Sequence, residues 1–225
     1  MLATTETETV ATLQSMAQDM GVGRLRHLTA VRGAIRCESP LQSELAEVPC
    51  VYYSFQVERE TEETYYTTDA KGKKEKRTGA TFTTVNQNQR RVPFWIEDAS
   101  GQIKVLPDSA EMISETVLSN YEPAGSRTQF QIGKVKLNWQ QGGVLGYRLR
   151  EEAIPLDREL FVLGEVVDQD GELVVQKPSK ERMIISLKPK DNLVQDAGNS
   201  AKGLKIGSAV VGVVAIVVII IGALG

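Results

Sequence analysis

Few residues of this chain have side chains suited to acid–base, nucleophilic or metal chemistry. The 225 residues include one histidine, His27, and two cysteines, Cys37 and Cys50. Three such side chains cannot supply a His-rich metal site, or the roughly eight Cys and His ligands that two structural zinc ions require. The motifs GxSxG and HExxH do not occur, which removes a nucleophile elbow and a zinc-protease helix. We therefore expect no catalytic residue, no cofactor and no metal.

The cysteines and the histidine each leave an alternative open. Cys37 and Cys50 could pair in an oxidising compartment, but two cysteines are too few for a disulfide framework. Two reduced thiols are therefore the favoured interpretation. His27 lies just before the first predicted strand, where a structural or surface role is favoured over catalysis.

Cations are concentrated in one polar segment, residues 61–80, between two predicted strands. Five of them lie within seven residues: Lys71, Lys73, Lys74, Lys76 and Arg77. Such a candidate interaction loop can contact anionic lipid headgroups or an acidic partner. It can equally be the solvated tip of a β-hairpin. The net charge of −3 argues against a general nucleic-acid binder.

The longest apolar stretch lies near the carboxyl end. Residues 206–224 read IGSAVVGVVAIVVIIIGAL, without a charge. As a helix they reach about 28 Å, close to the ~30 Å hydrocarbon core of a bilayer. We expect a single transmembrane helix at 205–225 behind a polar linker at 189–204; a buried soluble helix is the alternative. Ser208 and Gly212 form a small-xxx-small pair on which two spans could pack into a homo-oligomer.

An amphipathic helix is predicted over residues 8–20, within an N-terminal segment that we place at 1–28. Thr7 is expected to cap its start and Gly21 its end. Glu8 would then lie in the first turn, beside the positive end of the helix dipole. Its apolar positions recur every three or four residues: Val10, Leu13, Met16, Ala17 and Met20. This helix either packs on the domain or binds a partner or the membrane surface.

Alternating patterns indicate β-strands from residue 29 onward. The segment Thr29–Cys37 contains Gly33, and an isolated glycine within a strand indicates a bulge or a close backbone approach. Val51–Glu60 alternates apolar and polar side chains, as a half-buried strand does. Strand signals resume at 81–85, whereas residues 109–121 are predicted to form a helix or an irregular stretch.

Two later segments, 91–107 and 159–178, are built alike. Each has an apolar strand, an Asp-x-x-Gly turn, an alternating strand and a terminal proline. This spacing is typical of hairpins with a type I turn and a bulge, and an internal duplication would explain the likeness. Further strand signals lie at 125–139, 143–152 and 183–187. With roughly eight to ten strands, we predict a mainly β fold, an antiparallel barrel or sandwich with one or two minor helices.

Three short motifs, in this order, resemble the GIDE domain, a β-rich domain of membrane proteins whose eukaryotic members are organelle-membrane ubiquitin E3 ligases. The first is AVRGAIRC followed by CVYY. The second is VPF before the first hairpin, and the third is LFVLGE before the second hairpin and an IIS strand. The resemblance covers about residues 29–188, which we take as the β domain. Its motif residues are expected to be structural: Gly33, Cys50, Pro93, Phe94, Gly164, Glu165 and Pro178.

The resemblance implies ubiquitin-ligase activity through a RING finger that follows a transmembrane span. A RING needs about eight Cys or His ligands, and this sequence has one His and two Cys. We therefore expect a membrane-anchored, non-catalytic β-domain protein that binds a protein partner or the membrane surface. E3 ubiquitin-protein ligase-like activity, inherited with the family, is the alternative.

Two indicators of sidedness disagree. Lys202 and Lys205 precede the predicted span and no charge follows it, so the positive-inside tendency places the β domain on the cytoplasmic side. The family resemblance implies the opposite side, away from a RING. We expect a single-pass protein whose β domain is cytoplasmic.

Overall fold

The computed structural model describes residues 5–68, 70, 72–125, 129–138, 143–190 and 192. The chain divides into two units, Thr7–Leu187 and a smaller one of Met1–Glu6 with Lys188–Gly225. The elements belong to the larger unit, in chain order: α1 (Val10–Met20), β1 (Arg26–Arg36), β2 (Leu41–Gln42), β3 (Pro49–Thr68), β4 (Lys74–Arg91), β5 (Phe94–Asp98), β6 (Gly101–Val105), β7 (Glu111–Ile113), β8 (Glu115–Pro123), β9 (Gln129–Ile132), β10 (Val135–Asn138), β11 (Val144–Pro155), β12 (Glu159–Gln169), β13 (Glu172–Gln176) and β14 (Ile184–Ser186).

Five strands close into a small barrel. β1 pairs with β5, β5 with β6, β6 with β13, β13 with β12, and β12 with β1 again. The β6–β13 contact is parallel and the other four are antiparallel. If these five strands are numbered 1 to 5 in chain order, they follow one another around the barrel in the order 1, 2, 3, 5, 4. This is the Greek-key topology of an OB-fold. Two short strands, β14 and β7, extend the sheet beyond β12.

Closure of the barrel depends on β1, which pairs with two neighbours. It pairs with β12 from Arg26 to Ala34 and with β5 from Ala34 to Arg36. Beside this change of partner, a β-carbon at Gly33 would stand 2.7 Å from the carbonyl carbon of Glu97, and closer still to its oxygen. The predicted close backbone approach is therefore confirmed. The β1–β12 register runs through Gly33 without a shift, so the glycine marks no bulge.

Apolar side chains from all five strands fill the barrel. The same cluster takes in Val10 and Leu13 of α1, so the helix packs against the barrel. Each large side chain buried in this way contributes about 1.5–3 kcal/mol. The barrel strands contribute Val31, Ile35, Phe94, Ile96, Ile103, Val105, Leu160, Val162, Val166 and Val175.

Helix α1 begins at Val10, later than predicted. Thr9 is its N-cap, with a hydroxyl that accepts a hydrogen bond from the first turn, so the assignment of Thr7 as the cap is wrong. Glu8 lies before the helix rather than in its first turn. The carboxylate at the positive end is instead Asp98 of β5, whose Oδ2 accepts the Val10 N–H at 2.9 Å. Tertiary contact therefore supplies the charge that the local sequence was expected to supply. The helix does end at the predicted glycine cap.

The remaining long strands form an open antiparallel sheet in the order β8, β11, β3, with β2 and β4 both along the far edge of β3. The β9–β10 hairpin packs Phe130, Val135 and Leu137 against it, which completes a second apolar core in a half-barrel. Residues 109–121 were predicted as helix or irregular, but they contain β7 and most of β8. Their Ser, Thr and Asn side chains carry little apolar alternation, which explains the error.

A buried carboxylate fixes one loop of this second sheet. Glu151 of β11 is fully buried. Its oxygens accept hydrogen bonds from the Ser43 hydroxyl at 2.8 Å and from the backbone N–H groups of Glu44, Leu45 and Ala46 at 2.7–3.1 Å. These donors compensate the cost of removing the carboxylate from water. The loop between β2 and β3 is thereby attached to β11.

Both Asp-x-x-Gly hairpins are present, as β5–β6 and β12–β13. Asp98 Oδ1 accepts the Gly101 N–H at 3.0 Å, and Asp168 Oδ1 accepts the Gly171 N–H at 2.7 Å. Neither pairing contains a register shift, so the predicted bulge is wrong. Asp170 and Gly171 both have positive φ, 56° and 92°, which makes the second turn type I′.

The predicted mainly β class, with a barrel, is confirmed. The described residues hold fourteen strands and one helix, more strands than expected, because short edge strands and long polar strands lack apolar alternation. No helix among the described residues is long and apolar enough to span a membrane. The predicted span at 205–225, with Ser208 and Gly212, lies outside the described residues.

Candidate interaction surface on the β3–β4 ribbon

The two longest strands continue past the second sheet as a two-stranded ribbon. β11 pairs with β3 only as far as Thr61, whereas β3 and β4 stay paired through seven further positions. We call these residues, 62–68 and 74–80, the ribbon. Nearly all of its side chains are exposed. The ribbon is therefore held together by backbone pairing rather than by an apolar core of its own. Because its sequence is polar, its length was not predicted.

Charge is distributed unevenly along this part of the chain, although Arg59 lies among the acids and Glu75 among the cations. Four described cations lie at the far end, which we call the tip: Lys73, Lys74, Lys76 and Arg77. Four acids lie where the ribbon leaves the sheet, which we call the base: Glu58, Glu60, Glu62 and Glu63. The cations were expected from the sequence, together with Lys71, which lies outside the described residues. The acids were missed, although the run ERETEE at 58–63 is visible in the sequence.

Strand alternation divides the tip between two faces. The register places Lys76 opposite Tyr66 and Arg77 opposite Tyr65. Because successive side chains point to opposite faces of a strand, Lys74, Lys76 and Tyr66 share one face. Arg77 and Tyr65 share the other. We call these the even and the odd face, after the residue numbers.

Aromatic rings accompany the charges. On the odd face, Tyr65 lies over Gly79, where a β-carbon would stand 3.1 Å from Cε1 of the ring. On the even face, Phe82 of β4 is 40 % exposed, and the guanidinium of Arg148 stacks on its ring at 4.0 Å from the centroid. This stack is a cation–π contact between β4 and β11, two strands apart.

A shallow polar groove of about 680 Å³ lies at the base, on the outer face of the second sheet. In it, Tyr121 of β8 covers Gly146 of β11, where a β-carbon would stand 2.8 Å from ring carbon Cε2. A hydrogen bond to Glu60 raises the pKa of the Tyr121 hydroxyl. Arg150 forms an ion pair with Glu152 at 2.8 Å. Arg150 is thus ion-paired, whereas Glu60 only accepts a hydrogen bond from the Tyr121 hydroxyl.

Neither cysteine is placed for chemistry. Both are free thiols, in agreement with the favoured interpretation. Burial, with the nearby charge of Glu151, raises the pKa of Cys50 to about 11, so this thiol stays protonated at neutral pH and is a poor nucleophile. Cys37 is half-buried, and its thiol donates a weak hydrogen bond to the Pro93 carbonyl at 3.8 Å.

The lone histidine has a structural partner. His27 lies within β1 rather than before it, and its Nε2 is 3.0 Å from the Glu8 carboxylate. This contact joins β1 to the segment before α1. No group of three His, Cys, Asp or Glu side chains in the described part of the chain is arranged to hold a metal ion.

The residues of the family motifs lie where they support the barrel. Phe94 and Pro178 are buried. A β-carbon at Gly164 would stand 2.8 Å from a side chain of β13, so this glycine lets β12 and β13 approach. Glu165 forms an ion pair with Arg26 of β1 at 2.7 Å. Cys50 lies in the core of the second sheet. The structural role expected for all seven motif residues stays a prediction.

The described residues thus form a closed β-barrel and an open sheet from which a charged ribbon projects. The family model described as GIDE, E3 Ubiquitin ligase, matches residues 62–220, and the chain belongs to the GIDE family. The resemblance expected from the motifs is therefore confirmed.

A curated plant protein is also similar. E3 ubiquitin-protein ligase SPL1 of Arabidopsis thaliana is 28% identical over 136 residues, which cover 56% of this chain and 39% of that protein. The chain thus spans well under half the length of this relative. No solved structure gives a significant match.

Proposed function

We propose that this chain is a membrane-tethered interaction module of the GIDE family, which binds an acidic protein surface through the tip of the ribbon. The observation that carries the proposal is the ribbon, which extends beyond the edge of a folded sheet and carries three exposed cations on β4, with Lys73 just before that strand. A projecting strand pair can reach a partner without rearrangement of the barrel.

Two features favour a protein over a lipid surface as the ligand. The tip cations are divided between two faces, so a flat bilayer would meet only part of them. A protein can contact both faces, and the exposed rings of Tyr65 and Tyr66 are of the type enriched at protein interfaces.

A charge-reversed tip tests this part of the proposal. The variant Lys74→Glu/Lys76→Glu/Arg77→Glu and the parent chain are purified at full length from their native membranes in mild detergent. A discrete protein that co-purifies with the parent should be lost from the variant, and from the parent at high salt, because exposed charge pairs are screened. The control is Lys177→Glu/Lys180→Glu, which alters exposed cations after β13. A partner retained by the reversed tip would contradict the proposal.

The tether is its second part, supported by the uncharged stretch at 206–224. Lys202 and Lys205 favour a cytoplasmic β domain, against the side that the family resemblance implies. Alkaline carbonate extraction and protease protection of intact membranes test both points. The chain should stay in the membrane pellet, and protease added from the cytoplasmic side should cleave the β domain. Release by carbonate would contradict the tether, and protection would contradict the side.

Ubiquitin transfer is the second candidate function, because the family description and the name of the plant relative both point to it. A RING would need about eight Cys or His ligands, against the one His and two Cys of this sequence. Our proposal therefore gives these residues no role in recruiting a ubiquitin-loaded E2. The purified full chain should not accelerate ubiquitin discharge from a loaded E2, and robust E2-dependent transfer would favour the ligase instead.

A further inference from the structure

Strand β4 has one unpaired edge. It pairs with β3 along one side, and no strand in the described part of the chain pairs with its other side. Residues 78–89 read TGATFTTVNQNQ, without a charge or a proline. Charges, prolines and bulges are the features that usually prevent further pairing of an exposed edge. β4 has charges at 74–77 and a bulge at Val85, and residues 78–84 between them have none of these features. The occupant that suits such an edge is another β-strand.

A bulge limits where that strand can pair. Val57 is opposite Asn86 and Glu58 is opposite Thr84, so Val85 has no residue opposite it on β3. On the ribbon side of the bulge, the regular stretch of β4 is Lys74–Thr84. The midpoint of this stretch is Gly79. Antiparallel self-pairing over the whole stretch would therefore place a two-fold axis beside Gly79 of both copies.

On the even face, this pairing brings opposite charges and rings together. Lys76 would lie opposite Phe82 of a second copy, and that Phe82 pairs across its own ribbon base with Glu60. Tyr66 lies on the other side of Lys76. Across the four strands, the side chains on this face would then lie in the order Tyr66 and Lys76 of one copy, followed by Phe82 and Glu60 of the other. Strands are about 4.8 Å apart, so the Lys76 and Glu60 side chains can meet. Arg148 already stacks on the Phe82 ring, so Tyr66 is the ring beside which Lys76 would lie.

On the odd face, the same register again brings a cation of one tip close to an acid of the other base. Arg77 would lie opposite Thr81 of the second copy, whose hydroxyl donates a hydrogen bond to Glu63. Gly79 lies at the axis, where Tyr65 covers it on this face. Each contact occurs twice because the interface is isologous. The tip of each ribbon therefore meets the base of the other on both faces.

We propose that two copies of this chain associate by antiparallel pairing of their β4 edges over Lys74–Thr84, with the tip of each ribbon against the acidic base of the other. This inference rests on the proposed function, since it names the acidic partner as a second copy of the chain.

A charge exchange tests the match of tip to base. The first variant carries Lys74→Glu/Lys76→Glu/Arg77→Glu and the second Glu58→Lys/Glu60→Lys/Glu63→Lys, each at full length in mild detergent. Sedimentation velocity should show a dimer for the parent and a monomer for each variant alone. An equimolar mixture should regain the dimer, because each reversed tip then faces a reversed base. A monomeric parent, dimers that survive either reversal, or a mixture that stays monomeric would overturn the inference.

A disulfide tests the register without altering a charge. In the proposed dimer the two Gly79 α-carbons lie about 4.5–5.5 Å apart, within disulfide range. Mild oxidation of Gly79→Cys should give a covalent dimer on a non-reducing gel. The control is Thr84→Cys, because its two copies would be roughly 34 Å apart; the native cysteines are the same in both. No dimer from Gly79→Cys, or equal dimer from the control, would overturn the register.

The two proposals fail separately. If the parent is monomeric but a different protein is still captured in a tip-dependent manner, self-pairing is wrong and the proposed function stands. If neither self-association nor tip-dependent capture occurs, both are wrong.

Discussion

The barrel and the second sheet differ in whether the edges of their β-strands are paired. In the barrel, β1 pairs with both β5 and β12, so the ring of five strands closes. The second sheet stays open, and among the described residues nothing pairs beyond β4 on one side or β8 on the other. The barrel is filled by apolar side chains, whereas the ribbon and its base are polar and charged. Both regions have an apolar core, so they differ mainly in whether their strand edges are paired.

The largest effect is expected from Glu151→Ala in the second sheet. The change leaves the Ser43 hydroxyl and three backbone N–H groups without their buried acceptor, so the free energy of unfolding should fall by about 3–5 kcal/mol. Hydrogen exchange should accelerate in the loop between β2 and β3 while the barrel amides stay protected. Glu152→Ala is the control, because its side chain is partly exposed beside Arg150 and should change stability by less than about 1 kcal/mol. Equal losses of unfolding free energy in the two variants would contradict a special role for Glu151.

The next largest effect tests closure of the barrel. Gly33→Ala places a β-carbon against the Glu97 carbonyl, which backbone movement must relieve at a cost of about 1–3 kcal/mol. Denaturant unfolding followed by circular dichroism measures the loss. Gly125→Ala is the matched change, since a β-carbon there meets nothing within 4 Å. If both variants are equally stable, the close approach does not limit the barrel.

A smaller effect, of about 1 kcal/mol, is expected from Asp98→Ala at the start of α1. Burial would raise the pKa of Asp98, but hydrogen bonds from Ser100, Val10 and Gly101 outweigh it and lower the pKa below the usual 3.8. A lowered pKa in the folded state stabilises the fold above pH 3.8, and the contribution is lost as pH falls through the lower folded value. The stability difference between parent and variant should therefore be full at pH 7 and shrink in strong acid. A difference that is constant with pH would contradict a role for the charged form.

The smallest effect concerns the contact between β4 and β11. A double-mutant cycle of Phe82→Leu and Arg148→Met should give a coupling energy of about 0.5–1 kcal/mol in thermal unfolding, as expected for an exposed cation–π pair. Coupling of zero would mean that the stacked geometry adds nothing to the stability of the ribbon base.

The sequence predicted those parts of the fold that local patterns determine. Gly33, the two Asp-x-x-Gly hairpins and the N-terminal helix are each visible as a short-range signal, and the structure contains all three. The helix cap was placed two residues too early, at Thr7 instead of Thr9. The carboxylate at the helix start was not foreseen, because it comes from Asp98, which is 88 residues away from Val10. The hydrogen bonds to the buried Glu151 carboxylate were not foreseen either, because their donors are about a hundred residues away in the chain.

The candidate surface was predicted only in part. The cationic cluster is evident in composition, but its division between two faces depends on the β3–β4 register, which a polar strand pair does not reveal. The free edge of β4 follows from the order of strands in the sheet, and no local pattern determines that order. The acidic base could have been found from the sequence by reading charge sign along 58–77.

The ribbon continues from the second sheet, and we propose that its role is to bind. The most direct measurement replaces residues 62–80 by Asn-Gly, which joins Thr61 to Thr81, its opposite residue in the β3–β4 register, by a favoured two-residue turn. Sedimentation velocity and thermal unfolding are then compared between the shortened and the parent chains. We predict an unchanged cooperative unfolding transition and complete loss of the dimer. A shortened chain that folds and still associates as the parent does would contradict the account.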